Sequence, residues 1–204
     1  MRQHDWSATS LGPPEYWPTT LKVALRLLLT SRFEMWLGWG PDVNFFYNDA
    51  YRPTLGIKHP RSLAMPTRAL WPEIWEDIRG RIEAVYNEGI ATWDRGLLLL
   101  LERNGYPEET YHTFSYSPLI GDTGKVEGLF CAVSEDTERV IGERRLASLR
   151  ELASGLALAD NRKSVLDSVK ACLGANPHDL PFSLIYLFTE DGKAQRASAT
   201  GMST

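Results

Sequence analysis

Large aromatic rings are the side chains of this sequence best suited to chemistry, and several of them carry a polar atom. Trp and Tyr can enclose a small molecule with their rings and hydrogen-bond it through N–H or O–H. The pattern predicts a ligand pocket formed by Trp36, Phe46, Tyr47, Asn48, Tyr51, Trp71, Trp75, Trp93, Phe114, Tyr116 and Phe130. A dry aromatic core that binds no ligand explains the same residues, and the two interpretations carry equal weight.

The sequence contains no combination of residues that is typical of a catalytic site or a metal site. An α+β enzyme that combines the aromatic cavity with an acid such as Asp94 or Asp49 is an alternative, but no nucleophile–base pair accompanies these acids. Cys131 and Cys172 stand in no CxxC or Cys/His spacing, so we predict two reduced structural thiols and no metal site. His112 falls within a predicted strand and is interpreted as a strand residue rather than a ligand.

Composition and charge restrict the class of protein. The chain has 204 residues, of which 43% are hydrophobic and 24% charged, which is typical of a globular protein with a sizeable core. A net charge of -4 without any Lys/Arg cluster predicts neither nucleic acid nor a membrane surface as partner. No apolar run approaches the roughly 20 residues of a spanning helix, and the N-terminus does not resemble a signal peptide. We therefore expect a cytoplasmic protein.

A hairpin followed by a helix organises the middle of the chain. Tyr111 to Pro118 alternates large rings with small hydroxyls, Val126 to Val133 is small and apolar, and Gly121-Asp122-Thr123-Gly124 lies between them. This is a hairpin signal. The second strand runs without a break into the charged segment Glu135 to Arg145, and helical leucine spacing begins at Leu146. A strand is thus predicted to lead directly into an exit helix.

Three elements that precede this hairpin complete a predicted sheet. Met35 to Trp39 and Val43 to Tyr47 read as strands joined by a Gly-Pro-Asp turn. Glu73 to Glu88 has the isoleucine spacing of a helix packed on a sheet, and Gly89 ends it. Trp93 to Leu101 contains five consecutive leucines. Because residues at odd and even positions of this strand are both apolar, we predict that both faces of the strand are buried. The helices are expected to cover one face, and the N-terminal cap or a partner chain the other.

The order of these elements resembles a PAS sensor domain. The strand sequence GKVEGLFCAV, the junction of Glu135, Asp136 and Thr137, and the run Asn48-Asp49-Ala50-Tyr51 are similar to PAS segments. The family junction usually begins with Asp, whereas Glu135 stands here. The resemblance implies an α+β fold with a five-stranded antiparallel sheet flanked by helices. It also implies that the junction relays a signal from the sheet to the exit helix.

The resemblance divides the chain into four predicted segments. Residues 1–32 form an N-terminal cap whose aromatic side chains staple a loop to the domain and whose amphipathic helix is capped by Thr19 or Thr20. Residues 33–137 are the PAS domain, and residues 138–160 are a linker or coiled-coil helix. Residues 161–204 resemble the beginning of a GAF domain, and we expect the chain to be a fragment. The predicted dimer contacts of the linker helix are Leu146, Leu149, Leu152 and Leu156. A helix folded back on its own sheet is the alternative.

The function implied is a sensory and dimerisation input module of a cytoplasmic two-component signalling protein. A ligand- or partner-induced change in the sheet would pass through the exit helix to a kinase output, with kinase and response-regulator partners reached through the parent protein. Residues 73–88 contain no His for haem, and no Asn-Cys-Arg-Phe-Leu-Gln helix is present for flavin. We therefore expect neither cofactor, and the small-molecule ligand is not identified. A ligand-free scaffold for protein–protein interaction is the alternative.

Overall fold

The computed structural model describes residues 4–202. The chain divides into two compact units, Met1–Thr137 and Glu138–Thr204. The helices of the first unit are α1 (Thr19–Thr30), α2 (Arg52–Leu55), α3 (Thr67–Leu70) and α4 (Trp75–Glu83). Its strands are β1 (Met35–Trp39), β2 (Asn44–Tyr47), β3 (Thr92–Leu101), β4 (Glu108–Ile120) and β5 (Val126–Glu135). Helix α5 (Thr137–Ala157) begins at the last residue of the first unit, and α6 (Arg162–Ala175), β6 (Ser183–Phe188) and β7 (Ala194–Thr200) follow.

The five strands of the first unit form one sheet in the order β2-β1-β5-β4-β3, and every neighbouring pair is antiparallel. β5 therefore lies at the centre of the sheet. Cys131 of β5 is paired with Trp36 on one side and with Tyr116 on the other. This arrangement confirms the predicted α+β fold with a five-stranded antiparallel sheet flanked by helices.

Helices cover the inner face of the sheet, where the larger core lies. The apolar stripe predicted for the long helix is buried at Ile74, Ile78, Ile82 and Val85. The helix is shorter than predicted, because α4 begins at Trp75 and the chain from Ala84 to Glu88 forms a π-helical turn. Gly89 ends this turn in the left-handed region with φ of 69°, which favours glycine.

The N-terminal cap packs on the outer face of the sheet. The rings of Trp6 and Trp17 lie 5.6 and 5.8 Å from the ring of Phe46, which confirms the predicted aromatic staple. The predicted cap of α1 was wrong, because Pro18 occupies the cap position and Thr19 is already helical. Pro18 provides no side-chain acceptor for the first N–H groups of the helix. The Asp122 carboxylate of the β4–β5 turn takes this role and accepts hydrogen bonds from the backbone N–H groups of Thr19 and Thr20, at 2.9 and 3.1 Å.

The N-terminal cap does not provide the second cover predicted for β3, and cover by a partner chain, the other predicted possibility, stays a prediction. Leu99 and Leu101 are buried on the inner face, whereas Leu98 and Leu100 are 45% and 52% exposed on the outer face. The cause is the sheet order, since α1 contacts β1 and β2 while β3 forms the opposite edge of the sheet. The N-terminal cap therefore leaves this apolar edge uncovered.

The second unit contains the helix and hairpin predicted for residues 161–204. Asn161 caps α6 through a capping box with Ser164, and β6 pairs with β7 as an antiparallel hairpin. On α5, Leu146, Leu149 and Leu156 are exposed and Leu152 is half-buried, while Cys172 of α6 donates to the carbonyl of Ser148. Among residues 4–202, no helix is both long and apolar enough to cross a membrane.

Candidate ligand cavity and exit junction

A small cavity of about 30 Å³ lies between the inner face of the sheet and the helices of the first unit. Apolar side chains from α4 and β3 and aromatic rings from all sides form most of its wall. Its lining residues are Trp36, Tyr51, Thr54, Trp71, Ile74, Ile78, Leu99, Leu101, His112, Phe114, Tyr116, Cys131 and Val133. Since one water needs roughly 10–15 Å³ on this scale, the cavity has space for two or three water-sized groups.

Five of the eleven residues predicted for the pocket line this cavity, namely Trp36, Tyr51, Trp71, Phe114 and Tyr116. Phe46, Phe130 and Trp93 do not, and strand alternation is the reason. Phe46 and Phe130 belong to the outer core beneath the N-terminal cap. Trp93 is paired with Ser115, whose strand neighbours face inward, and its own side chain is 66% exposed.

Three other predicted pocket residues have structural contacts instead. Tyr47 hydrogen-bonds His59 Nδ1 at 2.8 Å. The Asn48 side chain donates to the carbonyls of Ser31 and Phe33 and caps the turn that contains Tyr51. Trp75 is partly buried against the inner core. None of the three lines the cavity.

The polar lining residues Thr54, His112 and Cys131 were not predicted. The strand pattern could have indicated two of them. His112 lies on the same face of β4 as Phe114 and Tyr116, and Cys131 is the cross-strand partner of Trp36 and Tyr116. Thr54 lies on α2, whose four-residue length gives no usable periodicity. Its position at the cavity depends on the path of the chain between β2 and α3.

The cavity wall is uncharged at neutral pH. Burial lowers the pKa of His112 to about 4, although the Glu135 carboxylate opposes the shift. Burial also raises the pKa values of Tyr51, Tyr116 and Cys131 well above their usual range. The imidazole therefore stays neutral, and the hydroxyls and the thiol keep their protons.

Hydrogen bonding identifies the tautomer of His112. The Thr110 hydroxyl donates to the carbonyl of Leu99 at 2.8 Å, so its oxygen is available only as an acceptor. His112 Nε2 lies 3.0 Å from this oxygen and must donate to it. The neutral ring therefore carries its proton on Nε2 and leaves Nδ1 as an acceptor.

The acids considered for catalysis lie away from the cavity. Asp94 forms a two-point ion pair with Arg81, and the Asp49 side chain is almost fully exposed. Neither lines the cavity. Within the part of the chain that the structure describes, no group of three His, Cys, Asp or Glu side chains is placed to hold a metal ion.

The exit junction, formed by Glu135, Asp136 and Thr137, is held to the sheet by side-chain hydrogen bonds. Arg103 donates to both oxygens of Glu135 at 2.6 and 2.9 Å. Thr137 donates to Glu135 at 2.8 Å and accepts from the backbone N–H of Tyr111 at 3.0 Å. Burial alone raises the pKa of Glu135, but the hydrogen bonds from Arg103 and Thr137 outweigh it and lower the pKa.

Asp136 adds a second tie between the junction and β4. Its N–H donates to the carbonyl of Tyr111 at 2.7 Å, and its carboxylate accepts from the Thr113 hydroxyl at 2.5 Å. The start of α5 is thus fixed by both backbone and side-chain contacts to one neighbouring strand. Substituting one of these residues removes part of the attachment and leaves the rest.

Two routes connect the cavity wall with the exit junction. β5 is the first, since Cys131 and Val133 line the cavity and Glu135 ends the same strand. The second runs through Arg103, whose carbonyl accepts from the N–H of Ile57 at 2.9 Å, just beyond the α2 residues at the cavity. Gly56 permits this approach, because a Cβ there would lie 2.2 Å from the Arg103 oxygen.

The cavity is small compared with pockets that hold molecules of the size of haem or flavin. Pockets for molecules of that size have volumes of roughly 300–1,000 Å³, about ten times or more the 30 Å³ found here. The only histidine of the lining is neutral and donates its Nε2 proton to Thr110. Either group would require several aromatic side chains to move out of the core.

Comparison with known proteins shows that this chain is similar in fold to several solved structures. No protein-family model matches the chain. No curated protein matches it either. Among solved structures, the Rhodobacter sphaeroides LOV protein is 15% identical, with 75% of this chain and 89% of that chain covered and a TM-score of 0.48. The sensory box sensor histidine kinase from Vibrio cholerae is 15% identical, with 56% and 90% covered and a TM-score of 0.40.

A third similar structure, an RNA-binding Light-Oxygen-Voltage receptor, is 21% identical. The match covers 74% of this chain and 43% of that receptor, with a TM-score of 0.47. This chain thus spans less than half of the receptor's length. The function proposed below rests on the residues of this chain.

Proposed function

We propose that the first unit is a sensory input module of a cytoplasmic two-component signalling protein. In this proposal, a change at the cavity or on the sheet surface alters the exit junction and biases two arrangements of α5, which passes the change to a kinase output. One observation carries the proposal. β5 contributes Cys131 and Val133 to the cavity wall and ends at Glu135, which is bonded to Arg103 and Thr137.

The geometry of the junction supports a role in coupling rather than in folding. Its hydrogen bonds contribute about 1 kcal/mol each, which is small beside the burial of the two cores. The same energy changes the ratio of two nearly balanced states several-fold. A residue such as Thr137 can therefore tilt the position of α5 while the domain stays folded.

The test uses variants of the junction in the intact parent kinase. We expect Thr137→Ala, and Glu135→Ala combined with Asp136→Ala, to change autophosphorylation while the thermal melt shifts by only a few degrees. Thr123→Ala is the matched control, because Thr123 lies in the exposed β4–β5 turn away from the junction. Unchanged autophosphorylation in the junction variants would show that the junction is a passive linker.

Dimerisation through α5 is part of the same proposal. Leu149 and Leu156 are 63% and 37% exposed, and their spacing of seven residues suits a helix–helix contact between two copies. We expect Leu149→Lys combined with Leu156→Lys to reduce the mass measured by light scattering toward that of a monomer. Leu158→Lys is the control, since that side chain is 87% exposed at the end of the helix. Equal masses for the double variant and the wild type would contradict the proposal.

A ligand-free scaffold is a second candidate, and the exposed edge of the sheet favours it. Leu98, Leu100 and Trp93 present an uncovered apolar surface on β3. In either case we expect the purified protein to be colourless, because the cavity is too small for a conjugated cofactor. A visible absorption band from a stoichiometric cofactor would contradict this expectation.

A further inference from the structure

We propose that Glu34 is a proton switch for the exit junction, through which the first unit responds to acidification. This inference rests on the proposed function, because it takes the exit junction as the relay, and it adds the signal to which the relay responds. Three features of the structure support it: the position of Glu34 in the sheet, the guanidinium that it shares with Glu135, and the fixed charges of its neighbours.

Glu34 and Glu135 lie on the same face of the sheet, at the end where β5 leads into α5. The carbonyl of Glu34 accepts from the N–H of Val133 at 3.0 Å, which continues the antiparallel pairing of β1 with β5. Paired residues share a face, so Glu34 lies on the inner face with Val133, and Glu135 follows on that face of β5. Glu135 is in turn opposite His112 of β4. The register thus places two carboxyls and an imidazole in one row.

Arg103 supplies the positive charge of this row and is shared among carboxylates. It donates to both oxygens of Glu135 at 2.6 and 2.9 Å, and its Nε lies 3.4 Å from Glu108. Glu34 lies close enough to be attracted by Arg103 and repelled by Glu135, and its carboxyl is hydrogen-bonded by the Thr54 hydroxyl of α2. A charged Glu34 therefore competes with Glu135 for Arg103, whereas a protonated Glu34 does not.

The neighbours of Glu34 keep a fixed charge where Glu34 itself titrates. Burial, together with the Glu135 charge, raises the pKa of Glu34 above its ordinary value of 4.5, although Arg103 opposes the shift. The pKa of Glu135 is lowered, so its carboxylate stays charged in this range. His112, with a pKa of about 4, stays neutral. The Tyr51 hydroxyl also faces Glu34, and burial raises its pKa well above the usual range, so it keeps its proton.

The charge of Glu34 is therefore coupled to the bonds that hold the start of α5. Below the pKa of Glu34, Arg103 is left to Glu135, which also accepts from Thr137 at 2.8 Å. As the pH rises through that pKa, the new carboxylate draws Arg103 away and repels Glu135. We expect the exit junction to be firmly attached to the sheet at acidic pH and looser at higher pH.

The experiment follows both ends of this coupling by NMR in the purified chain, between about pH 4 and pH 8. The carboxyl carbon of Glu34 reports its own titration. The backbone amide of Tyr111, which donates to Thr137 Oγ1 at 3.0 Å, reports on the junction. We expect both signals to change with one midpoint, above 4.5. Glu34→Gln, which imitates the protonated carboxyl, should remove this transition from the Tyr111 amide. Glu76→Gln is the matched control, because that side chain is 74% exposed on α4.

Variants of two neighbours should move the Glu34 midpoint in opposite directions. Glu135→Gln removes the repelling charge and frees Arg103 for Glu34, so the midpoint should fall. Thr54→Val removes a hydrogen bond that favours the carboxylate, so the midpoint should rise, while Thr54→Ser keeps the hydroxyl and should retain the wild-type value.

Three results would overturn the inference: a wild-type Glu34 midpoint at or below 4.5, a Tyr111 transition that persists in Glu34→Gln, or a Glu34 midpoint that does not move in Glu135→Gln. The titration of the wild type is decisive by itself if a variant does not fold.

Measurements on the intact parent kinase separate this inference from the proposed function. A shared transition of Glu34 and Tyr111, without any effect of junction variants on autophosphorylation, would contradict the function and support the switch. Junction variants that alter autophosphorylation, combined with no shared transition, would contradict the switch alone. If both hold, we expect autophosphorylation to differ between acidic and neutral pH in the wild type, and Glu34→Gln to keep the acidic level at both.

Discussion

His112 is expected to make the stability of the first unit depend on pH between 8 and 5. The residue is 3% exposed, and burial lowers its pKa to about 4. In the unfolded chain its pKa is about 6.5. Because the unfolded state takes up the proton first as the pH falls, the contribution of neutral His112 is complete above the unfolded value. It is lost progressively as the pH falls from there toward the folded pKa.

The expected size of this effect follows from the two pKa values. With a folded pKa of about 4 and an unfolded one of about 6.5, the free energy of unfolding decreases by about 2 kcal/mol between pH 8 and pH 5. The main neighbouring acid does not interfere, because the pKa of Glu135 is lowered. Glu135 therefore stays charged in the folded state throughout this range.

The test compares the wild type with His112→Gln by guanidinium denaturation at pH 8, 6.5 and 5. Glutamine has no titrating group and can still donate to Thr110, so we expect its stability to change much less with pH. All seven tryptophans lie between residues 6 and 93, and their fluorescence therefore reports on the first unit alone. His178→Gln is the control, because His178 is exposed and belongs to the second unit.

Identical pH dependence in the wild type and His112→Gln would refute the reasoning. If neither protein loses stability between pH 8 and pH 5, the imidazole of the folded protein titrates as it does in the unfolded chain. Water would then reach the ring from the cavity, and the wall would not be neutral below pH 6.5. A parallel loss of stability in both proteins with the predicted size would assign the effect to another group.

Three further predictions concern single contacts. Gly56→Ala should destabilise the protein by at least about 2 kcal/mol, because its Cβ would lie 2.2 Å from the Arg103 oxygen. Gly124→Ala is the control: Gly124 also has a positive φ, but a Cβ there would meet open space, so this substitution should destabilise the protein less. Asp122→Asn should lower the melting temperature at pH 7. Hydrogen bonding by the first turn of α1 lowers the pKa of Asp122, so the difference should disappear as the pH falls through that value. Cys131 should resist iodoacetamide until the protein unfolds, since burial raises the pKa of its thiol.

Local pattern determined the elements and their order in this protein. The alternation of rings and hydroxyls in β4, the Gly-bounded turn and the direct entry of β5 into a helix depend on neighbours in sequence, and the structure confirms them. β1 was placed at its observed bounds, Met35–Trp39, because Gly40-Pro41-Asp42 ends it. The buried stripe of α4 was also readable, since helical periodicity repeats over four turns.

The membership of the cavity depended on tertiary structure. Strand alternation alone sends Phe46 and Phe130 to the outer face, but which face encloses a cavity follows from the packing of the helices. Trp93 is as aromatic as Trp36, and only its place on the edge strand leaves it exposed. The number of aromatic residues can be read from the sequence, but the volume of a cavity between their rings cannot.

Contacts between residues far apart in sequence were likewise decided by the fold. Asp122 caps α1 across 102 and 103 residues, and Arg103 reaches Glu135 across 32. No local signal marks either pair, because each charged side chain lies in an ordinary polar turn or strand end. The sequence by itself determined which strands and helices form and that β5 leads into α5. The chain's path through three dimensions determined the cavity, its neutral wall and the bonds that hold the exit junction.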